Sequence, residues 1–201
     1  DAPLALRSVS LLVTSVLALG IVDLARRLLP AEREAAAWWA GAIYLALPFS
    51  WFFVLVTTDT PLILFMGLSV WCFVRAELAA RPAGWYAAAG ALLGLAFLSK
   101  YFAVLLGLGY VVWVLGWRRE RWWALLLGAA FALPAVALHL WFNAHHGWTN
   151  IMFNLINRHN DSRSSPSDFF VYVAMMVYLL TPWLLWQGWR ARAEALRPSR
   201  L

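Results

Sequence analysis

Long, unbroken runs of apolar residues alternate along this chain with short polar interruptions. Seven runs stand out, at 8–24, 35–56, 60–74, 85–98, 101–115, 122–141 and 169–189. Several approach the ~20 residues that an α-helix needs to cross a ~30 Å hydrocarbon core. A transmembrane β-barrel would show ~10-residue segments alternating with period two, whereas these runs are continuously apolar. The pattern predicts an all-α polytopic helical bundle of about seven membrane segments. Residues 1–201 form part of one transmembrane domain, and 142–168 form an outer loop carrying a short interfacial helix.

Composition leads to the same class. Hydrophobic residues make up 63% of the 201 positions and charged residues 13%, with a mean hydropathy of +0.69. A soluble domain of this size has too little interior to hide that much apolar surface. The formal charge of +6 does not indicate nucleic acid, because the basic residues lie in short loops between apolar runs.

All but one of the 16 basic residues are arginine. With the start outside, Arg26, Arg27, Arg33, Arg75, Arg81, Arg118, Arg119, Arg121, Arg190, Arg192, Arg197 and Arg200 fall inside, as the positive-inside rule favours. Arg7, Lys100, Arg158 and Arg163 remain outside. A single helix over 85–115 would invert the later loops and move the triplet Arg118, Arg119 and Arg121 outside. Two short segments with a turn at Ser99–Lys100 are therefore expected, each only ~22 Å long at 1.5 Å per residue, with the turn in a recess of the outer face. Trp85, Trp113, Trp117, Trp122, Trp123, Trp186 and Trp189, near segment ends, fit interfacial belts. The chain begins at Asp1 with no charged leader and cleavage pattern, so no signal peptide is expected and the sequence reads as an excised piece. The lone Cys72 has no internal disulfide partner and reads as a small apolar filler. No internal repeat is evident.

The outward-facing positions hold most of the reactive side chains. Asp59, in Thr57-Thr58-Asp59-Thr60-Pro61, separates two spans with almost no loop, and an ionisable group at that depth raises a functional hypothesis. Its plainer role is helix capping by Asp59 or Thr60, with Pro61 in the first turn. Lys100 is either a snorkelling anchor or a compact cation for a phosphate. His139, Asn143 and His146 follow i, i+4, i+7 spacing and share a face if the helix continues, giving either a metal or phosphate contact or ordinary hydrogen bonding. Trp148, Ile151, Met152 and Leu155 recur at helical spacing, as in a helix lying on the outer leaflet. Arg158 and Arg163 are further outer cations, whereas Asp161 and Asp168, beside serines and a proline, suit loop solvation.

Three strings carry a family resemblance: Thr58-Asp59-Thr60-Pro61-Leu62, then Gly94-Leu95-Ala96-Phe97-Leu98-Ser99-Lys100-Tyr101, then Trp141-Phe142-Asn143-Ala144-His145-His146-Gly147-Trp148. In this order they resemble bacterial members of glycosyltransferase family 39, relatives of the protein mannosyltransferases and of the lipid A aminoarabinose transferase. The opening Asp1-Ala2-Pro3-Leu4-Ala5-Leu6-Arg7 is similar to the segment after the first outer loop of that family.

The resemblance implies a GT-C fold in a bacterial inner membrane. It also implies transfer of a sugar from a polyprenyl-phosphate donor to a protein, lipid or glycan acceptor on the periplasmic side. It assigns Asp59 to a secondary acidic position, sometimes linked to a divalent metal, and Lys100 to a basic position near the donor phosphate. The main catalytic carboxylate is expected upstream of Asp1; on the residues themselves, Arg158 or Arg163 would assist at the phosphate, and Asn143 and His146 would complete the outer polar face. The family more often has glutamine where His145 stands, so His146 is the histidine carried over. An inverting transfer requires a base for the acceptor hydroxyl and positive charge for the departing phosphate, and this chain offers mainly the latter. Two other classes stay open on the residues alone. One is a transporter or lipid-binding protein with an outward polar cavity, although no repeat or midplane charge pattern supports it. The other is a structural membrane subunit, which would leave the outer polar residues without a role.

Overall fold

A computed structural model of the protein describes residues 2–48, 50–51, 59–153 and 166–180, together with positions 182, 186–187 and 189–190. These residues form helices α1 (Ala2–Leu28), α2 (Glu34–Ala46), α3 (Thr60–Leu78), α4 (Ala83–Ser99), α5 (Ala103–Trp117), α6 (Trp123–His145), α7 (Thr149–Met152) and α8 (Pro166–Leu180). Short 3-10 turns at Ala31–Arg33 and Arg119–Arg121 complete the connections, and no strand occurs among the described residues. The fold is all-α, as the apolar runs predict.

Local chemistry explains most of the boundaries. Leu47 leaves the helical region at φ −62°, ψ 139° because Pro48 follows it, and a residue before proline is pushed to extended backbone. The segment expected over 35–56 is therefore helical only to Ala46 before this break, and 52–58 lie outside the described residues. Pro61 occupies the first turn of α3, where a missing N–H does no harm. The run 85–115 does divide at the expected place. α4 stops at Ser99, Lys100 is extended at φ −157°, ψ 144°, and α5 begins at Ala103. α6 contains Pro134 and continues through His145, four residues into the loop expected over 142–168. Gly147 and Trp148 then take positive φ, 65° and 57°, and the Trp148 N–H donates to the Asn143 carbonyl at 2.9 Å. The end of the expected last span, beyond Leu180, lies mostly outside the described residues.

α4 is the middle of the bundle, packed between α3 and α6, while α1 packs on α2 and α3. Small residues allow the closest approach. Gly90 and Gly94, four apart on α4, face α6 so tightly that a Cβ on Gly90 would lie 2.2 Å from the Gly128 carbonyl oxygen. Membrane helices associate through such close backbone packing, because lipid gives apolar side chains no net drive to leave it. The interior beside this contact contains Cys72, Phe73, Ala76, Tyr86, Ala89, Val114 and Ala124. Phe73 stacks on Tyr110 with centroids 4.1 Å apart. Large apolar side chains including Leu12, Leu105, Val112, Leu126 and Leu133 stay exposed on the helix sides. Arg7–Leu28, Thr60–Leu78 and Arg119–His145 are each long and apolar enough to cross a membrane, and α4 and α5 are shorter apolar helices. This is the make-up of a multi-pass membrane protein.

Charged groups gather at the ends of the bundle. At one end Asp23 accepts hydrogen bonds from Arg27, Arg75 and the Trp71 indole. At the same end, where α3 hands over to α4, Glu77 accepts from Arg118 at 3.0 Å and from the Tyr86 hydroxyl, with Arg121 at 3.8 Å. Arg26 pairs with Glu34 at 2.5 Å. The arginines that the charge rule groups on one side are thus brought together, tying the end of α3 to α1, to the start of α4 and to the turn before α6.

Candidate functional site

The opposite end of the bundle carries an ion pair between two helix boundaries. Asp59 stands at the N-terminal boundary of α3, yet its side chain makes no capping hydrogen bond to that helix. Its carboxylate instead pairs with the Lys100 ammonium, carried by the extended residue between α4 and α5. Both side chains are partly shielded, at 23% exposure for Asp59 and 39% for Lys100. Thr60 next to it is buried, and its hydroxyl lies 3.0 Å from that of the buried Ser10 on α1. The expected side-chain cap by Asp59 is therefore not formed, and the carboxylate is engaged with a cation from another helix boundary.

A second polar group adjoins Lys100. The Tyr101 hydroxyl lies 3.0 Å from His139 Nε2, and Phe97, Tyr101 and His139 form a ring cluster with centroids 5.2–5.5 Å apart. Asn143, one turn beyond His139, is 1% exposed. Its Nδ2 donates to the His139 carbonyl at 2.8 Å and lies 3.1 Å from His139 Nε2, while its Oδ1 is buried without a hydrogen-bond partner. The i, i+4 pairing of His139 with Asn143 is as the spacing expects. His146 departs from it: the helix ends there at φ −119°, ψ 28°, and its exposed ring stacks on Phe142 at 4.0 Å with Nδ1 2.8 Å from the Phe142 carbonyl. His145 likewise folds back on Trp141. Arg158, Arg163 and Asp161 lie outside the described residues.

Below this polar end runs an apolar cleft of about 450 Å³, floored by α4 and walled by α5 and α6. Phe97, Ala103 and Val136 line it near the Tyr101–His139 contact, and Tyr86, Tyr110 and Ala124 line it toward the arginine-bearing end. Gly90 and Gly94 on its floor and Gly128 on its α6 wall line it, so the residues that let α4 meet α6 also keep the cleft free of side chains. A separate apolar recess of about 630 Å³ lies between α1, α2 and α3.

No three His, Cys, Asp or Glu side chains converge in a metal-binding group among the described residues. A cation at Asp59 would also have to displace Lys100 from the carboxylate. Among the described residues Asp59 thus stands outside any such group, and its carboxylate is engaged by Lys100. Sequence reasoning singled out Asp59, Lys100, His139 and Asn143 but assigned nothing to Tyr101. The available signal was its place beside Lys100 in a helix break, where an aromatic hydroxyl needs a partner.

A sequence model of the family described as dolichyl-phosphate-mannose-protein mannosyltransferase matches residues 2–142, which includes Asp59, Lys100, Tyr101 and His139. Comparison with curated proteins and with solved structures finds no match.

Proposed function

The chain belongs to the dolichyl-phosphate-mannose-protein mannosyltransferase family, and from that premise we propose that it transfers a sugar from a polyprenyl-phosphate donor to an acceptor at the periplasmic side of a bacterial inner membrane. The observation that carries this reading is the Asp59–Lys100 pair at the end of the bundle opposite the arginine clusters, above an apolar cleft. A lipid-linked sugar phosphate has the same division, with a charged head at the membrane surface and an apolar tail within it.

In the proposed reaction an acceptor hydroxyl attacks the anomeric carbon while the bond from that carbon to the phosphate oxygen breaks. The oxygen leaves with the bonding electrons, so negative charge grows on the phosphate as the transition state forms. Lys100 supplies positive charge at that position, and a preorganised cation in a partly dehydrated site lowers the barrier without reorganising at the moment of reaction. Asp59 balances Lys100 before the donor arrives and holds the ammonium toward the polar end. When the phosphate takes Lys100, the Asp59 carboxylate is released beside the reacting groups. The acceptor proton goes to a carboxylate base, which the described residues leave unassigned. Arg158 would add charge on the phosphate side and His146 a polar contact on the outer face, whereas Asn143, expected there too, is buried against His139.

The test is transfer of a radiolabelled sugar from a synthetic polyprenyl phosphate by the intact protein in liposomes, with Lys100→Ala in parallel. Donor-dependent transfer that collapses in Lys100→Ala supports the proposal. Robust transfer by the variant would remove Lys100 from the donor site.

A further inference from the structure

We infer that Tyr101 and His139 are positioning residues for the Lys100 ammonium. This rests on the donor-site proposal above and deepens it.

Lys100 is a single extended residue between two helices. Its own N–H still bonds back to the Ala96 carbonyl at 3.0 Å, and its carbonyl already accepts from the Ala103 N–H at 3.2 Å. Those bonds fix the local turn but not where it points relative to the rest of the bundle. α5 packs only lightly on its neighbours, so the direction of the break needs another constraint. One is the Asp59 carboxylate on α3, and it is the contact that a phosphate would replace.

The other is Tyr101. Its ring packs against Phe97, one turn back on α4, and edge-on to His139 on α6. Its hydroxyl reaches His139 Nε2 at 3.0 Å. His139 is held in turn by Asn143, whose buried amide donates to its backbone carbonyl and approaches Nε2. The Tyr101 contact is satisfied when Nε2 carries the lone pair and the Tyr101 hydroxyl donates to it. The break bearing Lys100 is therefore pinned to α6 by a contact that stays in place when the Asp59 pair opens. A flexible four-carbon ammonium gains most from such support, because the side chain has little geometric preference of its own.

The consequence is specific to the phosphate. Tyr101→Phe keeps the ring and loses only the hydroxyl, so it is expected to fold. The measurement titrates a short-chain polyprenyl phosphate, and separately the matching polyprenol, into the intact protein in nanodiscs. Tyr101→Phe should weaken polyprenyl phosphate up to about ten-fold, the scale of losing one hydrogen bond, while polyprenol binding stays within two-fold. His139→Leu should behave like Tyr101→Phe. His139→Gln, whose terminal amide oxygen reaches about the position of Nε2, should recover most of the loss.

Equal weakening of both ligands would make Tyr101 and His139 merely structural, and no weakening of either would remove their role. Lys100→Ala in the same assay separates the two proposals. If it leaves polyprenyl phosphate binding unchanged, the donor-site assignment itself fails. If it weakens binding while Tyr101→Phe does not, only the positioning role fails.

Discussion

The Lys100 ammonium is paired with the Asp59 carboxylate, joining the break between α4 and α5 to the start of α3. Neither residue is needed there for helix geometry. Asp59 makes no cap, and Lys100 follows the last residue of α4 with its ammonium directed across to another helix. An isolated charge near a hydrocarbon boundary is costly, and pairing reduces that cost for both groups. The pair thus holds a cation and an anion at one place, and under the proposed function an incoming phosphate would take the cation.

If Lys100 meets a phosphate, charge matters before shape. Lys100→Ala in the intact protein should lower kcat/KM for the polyprenyl-phosphate donor by about 10²-fold or more, the scale seen when one transition-state charge contact is removed. Lys100→Arg should keep a larger share of the activity, because it keeps the positive charge with altered geometry. Steady-state transfer kinetics against donor concentration would check this. Equal losses in the two variants would point to packing rather than charge.

Asp59→Asn should separate binding from turnover. Removing the carboxylate frees Lys100 from competition, so polyprenyl phosphate should bind a few-fold more tightly, in keeping with the modest worth of a partly exposed ion pair. Turnover should fall, because the carboxylate released beside the reacting groups is gone. Binding and single-turnover transfer measured on the same preparation would show both changes. Unchanged turnover would reduce Asp59 to a charge partner.

The two-ended arrangement was legible in the sequence because loop arginines and apolar runs are one-dimensional signals. Arg26, Arg27, Arg75, Arg118 and Arg121 needed only the positive-inside rule to be grouped, and the split at Lys100 followed from keeping them together. The Asp59–Lys100 contact was not legible, because it joins two helix boundaries distant in sequence and depends on how α3 and α4 pack. Tyr101 was missed for the same reason: its partner His139 lies on α6, and the register between them is set by the glycine contact. The halt of α2 at Ala46 was readable from Pro48 alone, yet a continuous apolar run outweighed it.

Sidedness has a direct check. In a Cys72→Ala background, single cysteines replacing the exposed Phe102 and His146 should react with a membrane-impermeant maleimide added from the periplasm. A cysteine replacing Arg119 should react only after permeabilisation. Labelling of position 119 from outside would reverse the proposed orientation.

The arginine-bearing end should matter for stability rather than chemistry. The Glu77 side chain is 9% exposed and serves Arg118, Arg121 and the Tyr86 hydroxyl together. Glu77→Leu removes the acceptor of the buried Tyr86 hydroxyl and of Arg118, while Arg121 loses its counter-charge but keeps the Ala76 and position-77 backbone carbonyls, a loss of about 1–3 kcal/mol. For a chain of this size that corresponds to a fall in Tm of roughly 2–4 °C per kcal/mol. Thermal unfolding in detergent would register it, while donor KM measured below the transition should not move.

The α4–α6 contact offers the sharpest structural test, because two glycines on one helix are predicted to behave oppositely. A Cβ at Gly84 would meet nothing within 4 Å, so Gly84→Ala should be neutral or stabilise by up to ~1 kcal/mol through helix propensity. At Gly90 the same methyl would stand 2.2 Å from the Gly128 carbonyl oxygen and 2.6 Å from its Cα, and backbone cannot rotate away as a side chain can. Gly90→Ala should therefore push α4 from α6 and cost about 1–3 kcal/mol, the range of overpacking in a tight interior. The effect should extend beyond stability. Widening this contact moves His139 on α6 relative to Tyr101 at the end of α4, so Gly90→Ala should also weaken polyprenyl phosphate binding while Gly84→Ala leaves it intact. Thermal unfolding and phosphate titration on the two variants would decide the matter. Equal behaviour at the two glycines would mean that the helices do not meet where the Gly90–Gly128 contact places them.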